Sequence, residues 1–301
     1  MSGAREATGH AFARAALLGN PSDGFGGKTI GVIVREFAAE VHVRDAAEHR
    51  VDAEAGAREL IEAAITRFGR RHRRPPPLAV ALATSIPREV GLGGSSAIVI
   101  ATLRALCERH GLELEPAALA DLALEVETEE LGIPGGPQDR VVQAYEGLVY
   151  MDFGDRSAGP RYERLDPAVL PPLFVAHTAS APRSSGEVHG DLRRRFERGD
   201  PRVVEALTEV AALAEAGRGC LLDGDHDRLG ELMAANVAAR ARMIELDPRH
   251  LRLIEIARSL GAPANYAGSG GAIVGIVPQA PRADELRDAF ATAGCELVFT
   301  S

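Results

Sequence analysis

A stretch rich in glycine and serine, residues 87–97 (Pro-Arg-Glu-Val-Gly-Leu-Gly-Gly-Ser-Ser-Ala), has the composition of an anion-binding loop. It follows an apolar run, residues 78–82, that predicts a strand, and it leads into residues 98–109, which predict a helix. Glycines allow close backbone approach, and the free N–H groups at a helix N-terminus favour a phosphate. Ser95 and Ser96 add hydroxyls that can bind a phosphate oxygen or Mg²⁺. The stretch predicts a phosphate site, although a tight turn with a helix cap fits the same residues.

The spacing of this loop excludes two common nucleotide-binding motifs. A P-loop needs Gly-x4-Gly-Lys-Ser/Thr, and no lysine follows these glycines. Gly91, Gly93 and Gly94 are also too close together for the dinucleotide fingerprint.

Two other regions contain residues that could bind a ligand or transfer a proton. Residues 19–29 predict a turn dense in groups that could bind a polyhydroxy ligand, and this turn contains Lys28, the only lysine among 34 basic residues. A lysine that persists in so arginine-rich a chain suggests a position that needs a compact ammonium group, with chance as the alternative. Asp139 follows a glycine-proline loop at the start of a short helix predicted over residues 141–145, where it could cap the helix or act as a base.

Bulk composition limits the classes of function. The 301 residues suffice for one large or two medium domains, and the net charge of −9 argues against nucleic acid as a partner. No apolar run is long enough to span a membrane, and the first residues lack a signal-peptide pattern. The three cysteines are far apart, which favours a reducing compartment. We therefore expect a cytoplasmic protein without a membrane partner.

Hydrophobic periodicity predicts an α+β chain with a domain boundary within residues 154–172. Before the boundary it predicts a hairpin from residues 30–34 and 38–43, and a helix over residues 116–130 that ends with Glu127 and Glu130. After the boundary it predicts an α+β layer that contains the tight loop 268–271.

Four pieces of the chain, in order, resemble the motifs of the GHMP kinases, a family of small-molecule kinases. They are residues 14–23, residues 87–97, the run from Glu127 to Asp139, and residues 266–274. The resemblance implies an N-terminal domain over residues 1–165, similar to domain 2 of ribosomal protein S5, and a ferredoxin-like C-terminal domain over residues 166–301. Asn20 and Pro21 stand where the family's sugar kinases have Glu-His, so galactokinase's substrate contacts do not carry over there.

The same resemblance implies ATP and Mg²⁺ as cofactors and gives roles to individual residues. Asp139 would accept or orient the proton of a sugar hydroxyl, and Arg14 would lie near it, keep it ionised and offset phosphoryl charge. Ser96 and Glu127 would hold Mg²⁺. The ATP phosphates would lie on Pro87, Gly91, Leu92, Gly93, Gly94, Ser95, Ser96 and Ala97.

Within the family the chain resembles the glucuronokinases, which implies an ATP-dependent sugar 1-kinase acting on a uronic acid. An acidic sugar needs a cationic partner, for which Lys28, Arg14, Arg140 and Arg183 are candidates and Lys28 is preferred. The predicted substrate-binding residues are Asn20, Ser22, Asp23, Lys28, Arg183, Gly268, Ser269 and Gly270. Kinases of galacturonate, arabinose or a heptose, and a non-catalytic sensor of sugar and ATP, are the alternatives; the oligomeric state is open.

Overall fold

The computed structural model describes residues 6–133, 136–154, 157, 159–178, 185–279 and 282–300, with backbone alone for residues 185–189. The strands are β1 (Glu6–Leu18), β2 (Lys28–Asp45), β3 (Arg50–Asp52), β4 (Leu78–Thr84), β5 (Leu148–Asp152), β6 (Arg161–Leu165), β7 (Leu173–Thr178), β8 (Ala264–Tyr266), β9 (Ala272–Ile276) and β10 (Cys295–Thr300). The helices are α1 (Ala55–Arg71), α2 (Gly94–His110), α3 (Pro116–Glu125), α4 (Gln138–Tyr145), α5 (Ser185–Glu197), α6 (Pro201–Asp223), α7 (His226–Met243), α8 (Pro248–Ser259) and α9 (Arg282–Thr292).

The chain forms two compact units, each assembled from separate stretches of sequence. The first unit consists of Met1–Ala13, Arg35–Ile86 and Gly93–Glu146, and the second of Arg14–Val34, Pro87–Leu92 and Gly147–Ser301. The division of the chain into functional domains at residues 1–165 and 166–301 stays a prediction.

The first unit packs helices against a short sheet. The second half of β2 pairs antiparallel with β4, and β3 pairs parallel with β4. A parallel pair needs a crossover, and α1 supplies it. The apolar stripe of α1, which includes Ile61, Ala64 and Phe68, is buried, and α1 packs on α2. Helix α4 packs against both α2 and α3.

The second unit contains an antiparallel sheet in the order β10-β7-β9-β8. Phe174 of β7, Tyr266 of β8 and Ile273 of β9 are buried in one apolar cluster with residues of α7, α8 and α9. A second cluster joins α5, α6 and α7. In the same unit the first half of β2 pairs with β5, and β5 pairs with β6.

One sequence prediction for local structure was wrong, and a second was incomplete. The hairpin predicted from residues 30–34 and 38–43 is the single strand β2, because residues 35–37 (Arg-Glu-Phe) contain no turn-forming residue and each half of β2 has its own partner strand. The helix predicted to Glu130 changes at Val126 into one π-helical turn, Val126–Glu130. Strand β6 lies in the segment that was predicted only as a boundary.

No helix within the described part of the chain is both long enough and apolar enough to cross a membrane.

Candidate active site

The glycine-serine loop ends at the first turn of α2. Gly93 caps this helix with a left-handed φ of 74°, and Ala97 N–H donates to the Gly93 carbonyl at 3.0 Å. The Ser96 side chain is buried, and its Oγ donates to the same carbonyl at 3.0 Å, which leaves hydroxyl lone pairs for another partner. Gln143 of α4 also donates to Gly93 O, at 2.9 Å. The side chains of Ser96 and Gln143 thereby hold Gly93 at the start of α2, a 17-residue helix whose N-terminus could bind an anion.

Glu127 lies in the π-helical turn after α3, a kind of irregularity that is frequent at functional sites. Its side chain is buried, and its Oε2 forms an ion pair with the Arg140 guanidinium. Its Oε1 is also buried and has no hydrogen-bond partner among the described residues. A buried carboxylate oxygen with an unused lone pair fits a metal ligand, so Glu127 and the Ser96 hydroxyl suit Mg²⁺.

The described residues contain no group of three or more His, Cys, Asp or Glu side chains spaced to hold a metal ion. Mg²⁺ bound beside nucleotide phosphates uses one or two protein carboxylates, so a single buried Glu127 is compatible with such a site.

Asp139 is half-buried in the first turn of α4, directly before Arg140. Because α4 packs against α3, and the π-helical turn packs against α3 as well, the fold of the first unit gathers Glu127 and Asp139 on neighbouring elements. The carboxylate predicted to bind a metal and the carboxylate predicted to take a proton thus lie on neighbouring elements, and both roles stay predictions.

Arg14 joins two loops of the second unit. Its buried guanidinium donates through Nη1 to the Gly91 carbonyl at 2.8 Å and to the Ala267 carbonyl at 2.7 Å. Its own N–H donates to Leu92 O at 3.0 Å. These contacts make Arg14 a support for the glycine-serine loop. Its proximity to Asp139 stays a prediction.

The loop at residues 268–271 lies against the glycine-serine loop, and the two backbones are in close contact. A Cβ on Gly268 would lie 2.2 Å from the Gly91 carbonyl oxygen, and a Cβ on Gly91 would lie 2.9 Å from both Gly270 O and Ser269 N. Gly91 also has a left-handed φ of 77°. Glycine is therefore required at these positions by close approach as well as by backbone conformation.

Hydrogen bonds hold the predicted sugar loop, residues 19–29, in place. Ser22 is buried and its Oγ donates to Lys28 O at 2.9 Å, which closes the loop on itself. Asp23 is buried in the same short 3-10 turn. Asn20 is buried too, and its Oδ1 accepts from Arg240 at 2.7 Å. Arg183 lies outside the described residues.

Lys28 has two carboxylate neighbours. Its ammonium forms a hydrogen-bonded ion pair with Glu215 and lies 3.6 Å from Asp152 Oδ2. The bond to Glu215 raises the pKa of Lys28, and Lys28 together with Tyr150 lowers the pKa of Glu215. Burial, and then the hydrogen bond to Glu215, raise the pKa of Tyr150 to about 12. The prediction that Lys28 binds a sugar carboxylate therefore gains no support from its surroundings.

Sequence reasoning missed three buried polar residues of the second unit: Arg240, His250 and Tyr266. Arg240 donates to Asn20 and, through Nη2, to Ser269 O at 3.0 Å, so it joins the predicted sugar loop to the 268–271 loop. A signal was present, because Asn236 and Arg240 continue the buried stripe of α7 that begins with Leu229 and Met233. Polar residues on a buried stripe are candidates for a site.

Comparisons with known proteins identify the family of the chain. The family model described as GHMP kinases N terminal domain matches residues 59–147, and the model for the GHMP kinases C terminal domain matches residues 210–296. The chain belongs to the GHMP kinase family. The chain is therefore an ATP-dependent phosphotransferase with the two-domain fold of mixed α/β content that this family shares.

Relatives give the same assignment, and solved structures show the same fold. The chain is 35% identical to Glucuronokinase 1 of Arabidopsis thaliana, over 90% of this chain and 84% of that protein. Probable glucuronokinase 2 of the same plant is also 35% identical, with the same coverage of both chains. The structure of Streptococcus pneumoniae phosphomevalonate kinase with phosphomevalonate and AMPPNP superposes with a TM-score of 0.83 at 17% identity, over 98% of this chain and 99% of that one. At that identity the likeness shows the shared fold.

Proposed function

We propose that this GHMP kinase phosphorylates D-glucuronate at its anomeric hydroxyl and produces glucuronate 1-phosphate and ADP. The observation that carries the proposal is the 35% identity to two glucuronokinases over 90% of the chain, a span that is not confined to either of the two family domains. A cytoplasmic location, where ATP is available, is part of the same proposal.

The proposed reaction uses the residues of the first unit for chemistry. The anomeric oxygen attacks the γ-phosphorus of ATP, the bond from that phosphorus to the bridging oxygen breaks, and ADP leaves with the bond's electron pair. Asp139 accepts or orients the proton of the anomeric hydroxyl. Loop N–H groups at the start of α2 bind the phosphate oxygens. Bound Mg²⁺, held by Glu127 and Ser96, would neutralise charge on the phosphates.

Positioning supplies most of the rate in phosphoryl transfer, so the support of the loops is part of the mechanism. Arg14 fixes Gly91 and Ala267, and we propose that it also offsets charge on the transferring group. The Ser22 bond to Lys28 O keeps the predicted sugar loop in one shape.

A panel of sugars with ATP and Mg²⁺, followed by ADP release, tests the substrate. We expect D-glucuronate to give the highest kcat/KM. A higher kcat/KM for galacturonate, arabinose or a heptose would show that this sugar is the substrate instead, and the assignment as a sugar kinase would stand. Tight ATP binding without ADP release for any sugar would instead indicate a sensor.

A further inference from the structure

Arg240 is a buried cation without an ion-pair partner among the described residues. Its side chain is 2% exposed, and burial lowers its pKa to about 10. Asn20 Oδ1 and Ser269 O accept from two of its five N–H donors, and its Nε has no hydrogen-bond partner within the described part of the chain. Because burying a charge costs several kcal/mol unless it is paired, this guanidinium requires an explanation.

Three other buried arginines of the protein have carboxylate partners. Arg67 pairs with Glu130 at 2.8 Å, and Arg140 pairs with Glu127. Arg109, which is 9% exposed, pairs with Asp45. Arg240 departs from these three, and it does so beside loops that were independently predicted to bind substrate.

Two neighbours of Arg240 also have unused polar atoms. The Arg240 guanidinium lies 4.9 Å from the ring centroid of Tyr266, and the rings of Tyr266 and His250 lie 6.4 Å apart. Tyr266 Oη and His250 Nε2 are both buried and find no hydrogen-bond partner in the residues that the structure describes. A Cβ on Gly270 would lie 2.7 Å from His250 Nδ1, so the ring lies directly against the 268–271 loop. Three buried polar groups with unused hydrogen bonds thus cluster in one part of the second unit.

We infer that Arg240, with Tyr266 and His250, binds the carboxylate of the sugar substrate and sets the preference for an acidic over a neutral sugar. The inference rests on the proposed function for the identity of that carboxylate. A carboxylate provides the missing counter-charge and can accept hydrogen bonds from Arg240 Nε and Tyr266 Oη. Arginine suits a planar carboxylate better than lysine does. Asn20 contributes by fixing the orientation of the guanidinium.

The test compares Arg240→Met with Arg242→Met, a control on the same helix whose exposed side chain pairs with Glu209. Steady-state kinetics are measured with D-glucuronate and with D-glucose at saturating ATP. Loss of a buried charge partner lowers affinity roughly 30-fold to 1,000-fold, so we expect kcat/KM for D-glucuronate to fall by about 100-fold or more in Arg240→Met. Turnover of D-glucose and KM for ATP should stay within about 3-fold, as should all values for Arg242→Met.

Tyr266→Phe covers the case in which Arg240→Met fails to fold, because it removes only a hydroxyl that makes no hydrogen bond to any described residue. We expect it to fold normally and to raise KM for D-glucuronate about 10-fold, with no effect on D-glucose. Tyr150→Phe is the matched control, since its hydroxyl donates to Glu215 at 2.6 Å; it should lower thermal stability and leave the sugar preference unchanged.

The outcomes distinguish a sugar carboxylate from the transferred phosphate as the anion that Arg240 contacts. Equal losses for both sugars in Arg240→Met would overturn the inference, because they would show that Arg240 contacts the transferred phosphate or only supports the fold. An unchanged sugar preference in both Arg240→Met and Tyr266→Phe would also overturn it. If the wild-type protein phosphorylates a different acidic sugar and Arg240→Met loses that preference, carboxylate recognition stands while the proposed substrate fails.

Discussion

Two buried arginines, one in each unit, show how differently the protein uses the same side chain. Arg140 is 4% exposed, and Glu127 compensates its charge in the first unit. Arg240 is 2% exposed and has a carbonyl and an amide oxygen as its hydrogen-bond acceptors in the second unit. The first arginine completes a charge balance within the protein, whereas the second leaves a positive charge that a ligand can balance.

The comparison suggests that the two units contribute to different kinetic parameters. In the first unit, two carboxylates lie on elements that pack against α3, and the start of α2 suits phosphate, so substitutions of these groups should lower kcat. In the second unit, a cation and neutral polar groups are placed beside the predicted sugar loop, so substitutions of these groups should raise KM for the sugar. The predictions below test this division, from the largest effect to the smallest.

Asp139→Asn should give the largest loss. An amide cannot accept the hydroxyl proton, so we expect kcat to fall by about 1,000-fold, within the 10²–10⁴ range for general bases, while ATP binding stays close to wild type. Single-turnover kinetics and equilibrium ATP titration measure the two quantities. Asp121→Asn, on the exposed side of α3, is the control and should behave as wild type. A kcat near wild type for Asp139→Asn would remove Asp139 from the mechanism.

Glu127→Gln should lower kcat by about 100-fold and shift the Mg²⁺ dependence to higher concentration, because the amide is a weaker ligand and removes the carboxylate that pairs with Arg140. Glu129→Gln is the matched control in the same π-helical turn; its exposed carboxylate pairs with Arg67. Initial rates across a Mg²⁺ titration compare the two variants. Identical Mg²⁺ curves for Glu127→Gln and wild type would show that Glu127 does not hold the metal.

Gly91→Ala should raise KM for ATP about 10-fold and lower the melting temperature. A left-handed φ costs an alanine roughly 1–2 kcal/mol, and the new Cβ would also press on Gly270 O. Gly111→Ala separates these causes, because Gly111 has a φ of 64° and open space around it. If both variants lose the same stability and neither changes KM for ATP, the close approach of the two loops has no part in nucleotide binding.

Glu215→Gln should have the smallest effect, a loss of about 1 kcal/mol of unfolding free energy at pH 7, which is modest because the carboxylate is 45% exposed. The lowered pKa of Glu215 means that its stabilisation is present above the ordinary pKa of a glutamate and is lost as the pH falls through the lowered value. Urea unfolding at pH 7 and pH 3 should therefore show the difference from wild type shrinking in acid. A constant difference at both values would show that the charge of Glu215 does not contribute.

The sequence predicted those parts of the site that depend on local patterns. The loop at residues 87–97 starts α2, and Asp139 lies in the first turn of α4, because glycine, serine and helix periodicity act over a few residues. The sequence did not predict that Lys28 would meet Glu215, 187 positions away. It also missed Arg240, whose partner Asn20 lies 220 positions away. Such pairings depend on how the whole unit folds, and no local pattern contains them.

The most direct test of the central claim is the structure of the product formed from D-glucuronate, ATP and Mg²⁺. Phosphorus NMR of the purified product, with its coupling to the sugar protons, identifies the carbon that carries the phosphate. The account predicts one phosphate coupled to the proton on C1, together with one equivalent of ADP. A phosphate on any other carbon, or ADP released without a phosphorylated sugar, would contradict it.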